Sequence, residues 1–87
     1  MAIYFPKEEP TYTQRTTVAF PALLNDVSVS CEISAEALMD HFGARTINAS
    51  YLIAAFKFYR LAIENAARLK LPHTATNRCL IVTADFP

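Results

Sequence analysis

The side chains with the most chemistry to offer are two cysteines and two histidines, Cys31, His41, His73 and Cys79. Drawn as a zinc set, they are separated by 9, 31 and 5 intervening residues. Neither end of the set has the close ligand pair of a structural zinc site. The cysteines fall in segments that read as strands, so a disulfide is geometrically conceivable. A cytoplasmic setting, argued below, favours buried thiols acting as small apolar groups instead. Asp40 and His41 are neighbours in sequence and diverge on a helix rather than pair. His41 near a helix end also complements the dipole when protonated. No serine or cysteine is set near a base in a recognisable arrangement. The single glycine leaves no loop to cradle a phosphate. The expectation is a protein that is not an enzyme and uses no cofactor and no metal.

Contact is the other chemistry on offer. Lys57, Arg60 and Arg68 line one side of a helical segment, with Glu64 four residues before Arg68 as a favourable pair. Such a row can meet nucleic-acid phosphates. The plainer reading is a solvated face, with Arg68 and Lys70 complementing the helix C-terminus. Ile53 and Leu61 interrupt that polar side and are candidates for contact outside the monomer core. Ile53, Lys57, Arg60, Leu61 and Arg68 together form the candidate interaction surface.

Charge sharpens this expectation. Eight basic residues balance eight acidic ones, which gives no general electrostatic footprint for nucleic acid or a membrane. The distribution is uneven. Residues 1–44 set Lys7 and Arg15 against Glu8, Glu9, Asp26, Glu32, Glu36 and Asp40, a net of −4. Residues 45–78 set Arg45, Lys57, Arg60, Arg68, Lys70 and Arg78 against Glu64 alone, a net of +5. Opposite charge can steer one copy toward another. The expected partner is therefore a second copy, in a homodimer, or else an unidentified protein. Nucleic-acid contact through the basic helix face is the first alternative. A small-molecule binder or enzyme, with a pocket where Cys31, His41 or the tyrosines converge, is the second.

These residues need elements to hold them. Val27, Val29, Cys31 and Ile33 alternate with Ser28, Ser30 and Glu32, the period of a half-buried strand. "TTVAFPALL" before it reads as another strand, with Pro21 at an edge or an end, and "NDV" as the hairpin turn between them. Ser34 then serves as N-cap of a helix, with Ile33 and Leu38 at the positions of a hydrophobic staple. Glu36 suits the first turn, and Gly43 ends the helix. A second helix is expected from Asn48 to Leu71, with Ile47 and Leu52 repeating the staple and Pro72 stopping it. Its core stripe is Leu52, Phe56, Tyr59, Ile63 and Ala66, widened by Ala55, Phe58, Ala62 and Leu69. A loop, "LPHTATN", precedes a last strand near residues 79–84, buried on both faces if central.

The order is β-β-α-α-β, with a short extra strand at "AIYF". The fold class is α+β: two layers, a small antiparallel sheet with two helices on one face. Residues 1–87 form one domain whose first 15 residues are a partly irregular lead-in. The apolar fraction is 53% and the charged fraction 18%, more apolar material than a small domain easily hides, which again favours association. No apolar run suggests a membrane span. The start has no secretory pattern, so the protein is placed in the cytoplasm.

"IYFP", "VAFPALLNDVSVSCEISAEALMDHFGA", "AAFKFYRLAIENAARLK" and "IVTADF" together resemble a family of short proteobacterial proteins. That family is catalogued as domain of unknown function fourteen eighty-eight. The resemblance covers nearly the whole chain and is most specific over residues 20–44. It implies a small α+β fold and brings no activity, catalytic residue or ligand. Departures from the family are expected at Arg45–Asn48 and in "PHTATNR".

Overall fold

Asn25 and Asp26 both adopt positive φ, 50° and 68°. This is the backbone of a type I′ turn, whose twist matches that of the strands it joins. It folds β3 (Thr17–Leu24) onto β4 (Val27–Ser34), antiparallel, with Leu24 opposite Val27 and Thr17 opposite Ser34. The two-residue period places Val18, Phe20 and Ala22 beside Val29, Cys31 and Ile33 on one buried face.

The computed structural model describes residues 2–74 and 77–86. Ala75 and Thr76 belong to the loop expected after Leu71 and lie outside the described residues, as do Met1 and Pro87. Two short strands, β1 (Ile3–Tyr4) and β2 (Thr11–Tyr12), pair with the outer edge of β3 at Leu23–Leu24 and at Val18–Ala19. Pro21 falls between these two pairings, where its missing N–H removes no bond from that edge.

The sheet is mostly antiparallel, but its last strand departs from expectation. β5 (Arg78–Ile81) pairs parallel with β4, and the order β1-β3-β4-β5 puts it at an edge. The reason is the route: the chain leaves β4, passes through all three helices and returns in the same direction, a crossover connection. Cys79 and Ile81 are buried whereas Arg78 and Leu80 are exposed, so the strand is covered on one face and not on both.

Ser34 caps α1 (Ala35–His41), its hydroxyl accepting from the Ala37 N–H at 3.1 Å. Ile33 and Leu38 are both fully buried, as the staple requires. Gly43, at φ 75°, turns the chain out of the helix, and the Leu38 carbonyl accepts from both Phe42 and Ala44. Asn48 caps the next helix through the Ser50 N–H at 3.0 Å, but Ile47 is exposed and makes no staple. The single helix expected over 48–71 is two: α2 (Ala49–Phe58) and α3 (Arg60–Lys70), separated at Tyr59, whose φ −110° and ψ 26° leave the helical region. Leu71–His73 form a 3₁₀ turn, with Pro72 inside it.

The helices cover the face of Phe20, Cys31 and Ile33. α1 packs on β4, α2 on β3 and α3 on β5, and the Phe56 ring meets that of Phe20 at 4.9 Å. On the opposite face Ser28, Ser30, Arg78 and Leu80 are open to solvent. Among the described residues no helix is long and apolar enough to cross a membrane.

Candidate interaction surface

The lead-in that reads as irregular in sequence is held along one flank of α2 and α3, and the basic row holds it. Lys57 pairs with Glu9 at 2.8 Å. Arg60 donates to the carbonyls of Glu8 and Pro6 at 2.9 and 3.1 Å, pairs with Glu64 at 2.9 Å and lies over the Phe56 ring. Arg68 donates to the Ile3 carbonyl at 3.3 Å. The three cations thus face residues 3–9 of their own chain. Ile53 packs against the core, half-buried rather than exposed as expected. Glu64 is buried beneath its pair with Arg60.

With that flank covered, the outward arc of the helices is apolar. Phe58 is 80% exposed, Leu69 78%, Leu61 71% and Tyr51 50%, and Ala54, Ala62 and Asn65 are exposed between them. Positions 51, 54 and 58 on α2, and 61/62, 65 and 69 on α3, each follow the three- and four-residue spacing of a helical face. Two expectations are corrected here. Phe58, Ala62 and Leu69 do not widen the core; the apolar residues buried there between 49 and 71 are Leu52, Ala55, Phe56, Ile63, Ala67 and Leu71. Tyr59, at the break, is also exposed and rests its ring against Phe42 at 5.3 Å; Ala66 packs half-buried against the core as expected, with Ala67 fully buried beside it. Beside the break, Lys57 to Ala62 line a shallow open depression of about 390 Å³.

Of the five residues expected at the surface, Leu61 alone lies on this outward arc. Lys57, Arg60 and Arg68 flank it, and Ile53 is turned toward the core. The sequence reading missed Phe58 and Leu69 as surface residues because their spacing suits a core face equally well.

A polar cluster also escaped it. Glu32 is 2% exposed yet sits on the open face of the sheet. Arg15 grips its carboxylate with two bonds, 3.1 and 2.5 Å, while Thr17 donates at 2.7 Å and Arg78 at 3.2 Å. The Arg15 guanidinium, then the Thr17 hydroxyl and Arg78, hold its pKa down at about 2 despite burial. Every acceptor oxygen is answered within the cluster, which suits a structural tie across β3, β4 and β5. Strand alternation alone places Glu32 outward and exposed; its partners are 15 to 46 residues away.

Cys31 and Cys79 are brought together as direct neighbours in β4 and β5, both buried and both free. His41 lies apart, its ring 5.1 Å from that of Phe86, and His73 is exposed in the 3₁₀ turn. Among the described residues no group of three or more His, Cys, Asp and Glu is placed to hold a metal ion.

Comparison with known proteins agrees with this architecture. The sequence model of a family described as "Protein of unknown function (DUF1488)" matches residues 3–82. A crystal structure of a protein of unknown function from the DUF1488 family, from Shewanella loihica PV-4, superposes with a TM-score of 0.73 at 23% identity. The match covers 91% of this chain and 90% of that one, a likeness of fold. No curated protein matches the chain.

Proposed function

This chain belongs to the DUF1488 family, and we propose that it is a non-catalytic protein-interaction module that associates with a second copy through the outward face of α2 and α3. The observation that carries this reading is the set Tyr51, Phe58, Leu61 and Leu69, four large apolar side chains left in water on α2 and α3. Isolated exposed apolar residues need no explanation; such a set on a small domain does.

A second copy is the occupant because the row is self-complementary about residue 60. A two-fold axis at the α2–α3 junction brings the α2 row of one copy, Tyr51 and Phe58, toward the α3 row of the other, Leu61 and Leu69. It also brings the large Phe58 toward the small Ala62, large against small at the centre of an isologous interface. Burying a side chain of this size contributes roughly 2 kcal/mol. With four from each copy, that offsets an association cost of about 4–15 kcal/mol. The two free thiols fit work in a reducing bacterial cytoplasm.

Replacing Phe58 and Leu61 together with Glu tests the reading. The circular dichroism spectrum should be kept, because neither side chain belongs to the core, and association should be lost. A double variant that is folded and has the parent's oligomeric state would remove this face from the account.

A further inference from the structure

Cys31 and Cys79 are opposite one another in the parallel register of β4 and β5, both buried on the core face. Neighbouring strands run about 4.8 Å apart, inside the ~4.4–6.8 Å between Cα atoms that a disulfide spans. A bond between them therefore asks little of the backbone. Ordinary buried cysteines are inert because their surroundings are apolar on every side.

Cys79 differs in having charged groups nearby. The Lys70 ammonium is held at the carbonyl of Leu80, the next residue in the chain, at 2.5 Å, and by Asp85 at 2.8 Å. The neighbouring Cys31 thiol and then the charge of Lys70 favour the thiolate at Cys79, against burial and the Asp85 carboxylate. The Cys79 sulfur beside it and full burial hold the proton on Cys31. The pair thus has one sulfur disposed to attack and one disposed to follow.

We propose that Cys31 and Cys79 form a peroxide-reactive dithiol that closes reversibly to an intramolecular disulfide, pinning β5 to β4. In the first step the Cys79 thiolate attacks one oxygen of hydrogen peroxide. The O–O bond breaks, Cys79 becomes a sulfenic acid, and the departing hydroxide takes a proton to become water. In the second step the Cys31 sulfur attacks the sulfenic sulfur, the S–O bond breaks, and the hydroxide leaves as water with the Cys31 proton. Two thiols are oxidised and one peroxide is reduced to two waters. Access requires only local opening of β5, a four-residue strand at the sheet edge, to an oxidant little larger than water. Transient disulfides of this kind are the sort that a reducing compartment permits.

The test treats the intact protein with hydrogen peroxide, removes the excess with catalase, and measures intact mass under denaturing, non-reducing conditions. The expected product is a single chain lighter by two hydrogens, with no thiol titratable in denaturant and both recovered with dithiothreitol. Its melting temperature should rise by about 10 °C or more, because the cross-link closes a long loop. Cys31→Ser should stop at a dimedone-reactive sulfenic acid on Cys79, and Cys79→Ser should stay unreacted. Retention of both thiols, a mass gain from oxygen without loss of two hydrogens, or a disulfide between chains would each overturn the proposal. The unaltered protein suffices to decide between these outcomes even if a variant fails to fold.

Discussion

Arg68 of α3 lies over the ring of Phe5, its guanidinium carbon 5.1 Å from the ring centroid, and reaches the Ile3 carbonyl from the same position. One side chain thereby covers an apolar ring and satisfies a backbone acceptor at the start of the chain. Arg60 repeats the arrangement at Phe56, Pro6 and Glu8. The basic row is in this sense a clamp, and the clamp sets which helical face remains free.

The clamp has a centre and a periphery, which separates its members by mutation. Arg60→Ala removes two carbonyl bonds and leaves the buried Glu64 carboxylate without its cation. A loss of about 2–3 kcal/mol is expected in urea unfolding. Lys57→Ala removes only a solvent-facing pair with Glu9, and the same titration should show no measurable change.

Glu32 makes acid stability legible. Its folded pKa of about 2 lies below the roughly 4.3 of a free glutamate. Its contribution is therefore complete above about pH 4.3 and is lost as pH falls toward 2. Glu32→Gln should cost about 2 kcal/mol at pH 7, a figure kept modest because both arginines are more than half exposed. The gap between variant and parent should close on acidification, read from urea midpoints at stepped pH. A gap constant down to pH 2 would contradict the assignment.

Thr16 adopts φ 59°, a left-handed backbone that a β-branched residue resists. Its N–H and carbonyl are used by Thr13 and Ala35, and both bonds are indifferent to the side chain. Thr16→Gly should therefore stabilise the protein by about 0.5–1 kcal/mol, after the entropy that glycine adds to the unfolded chain. Calorimetry should show the melting temperature raised by a few degrees.

Where a structural cause is local, the sequence announces it. Ser34 and Asn48 show their caps within three residues, and the alternation of β4 shows its buried face. The causes that stayed hidden are long-range or degenerate. Arg60 and Arg68 find acceptors more than fifty residues away. The parallel direction of β5 depends on where three helices return the chain. Tyr59 interrupts the helix with neither proline nor glycine to signal it. The outward row was hidden for a different reason. Leu52, Phe56 and Ile63 make one apolar arc, and Tyr51, Phe58 and Leu69 make another. Periodicity says which residues share a face, but the sheet decides which face it covers. The cysteines were legible as strand residues, while their adjacency followed from the register of β5.

Self-association through the α2–α3 face is the central claim, and molar mass in solution tests it most directly. Light scattering on a sizing column, over a range of loading concentrations, should give twice the 9.7 kDa of the chain at high concentration. The value should fall toward that of a single chain on dilution. A mass of 9.7 kDa at every concentration would contradict the account and leave Phe58, Leu61 and Leu69 facing water.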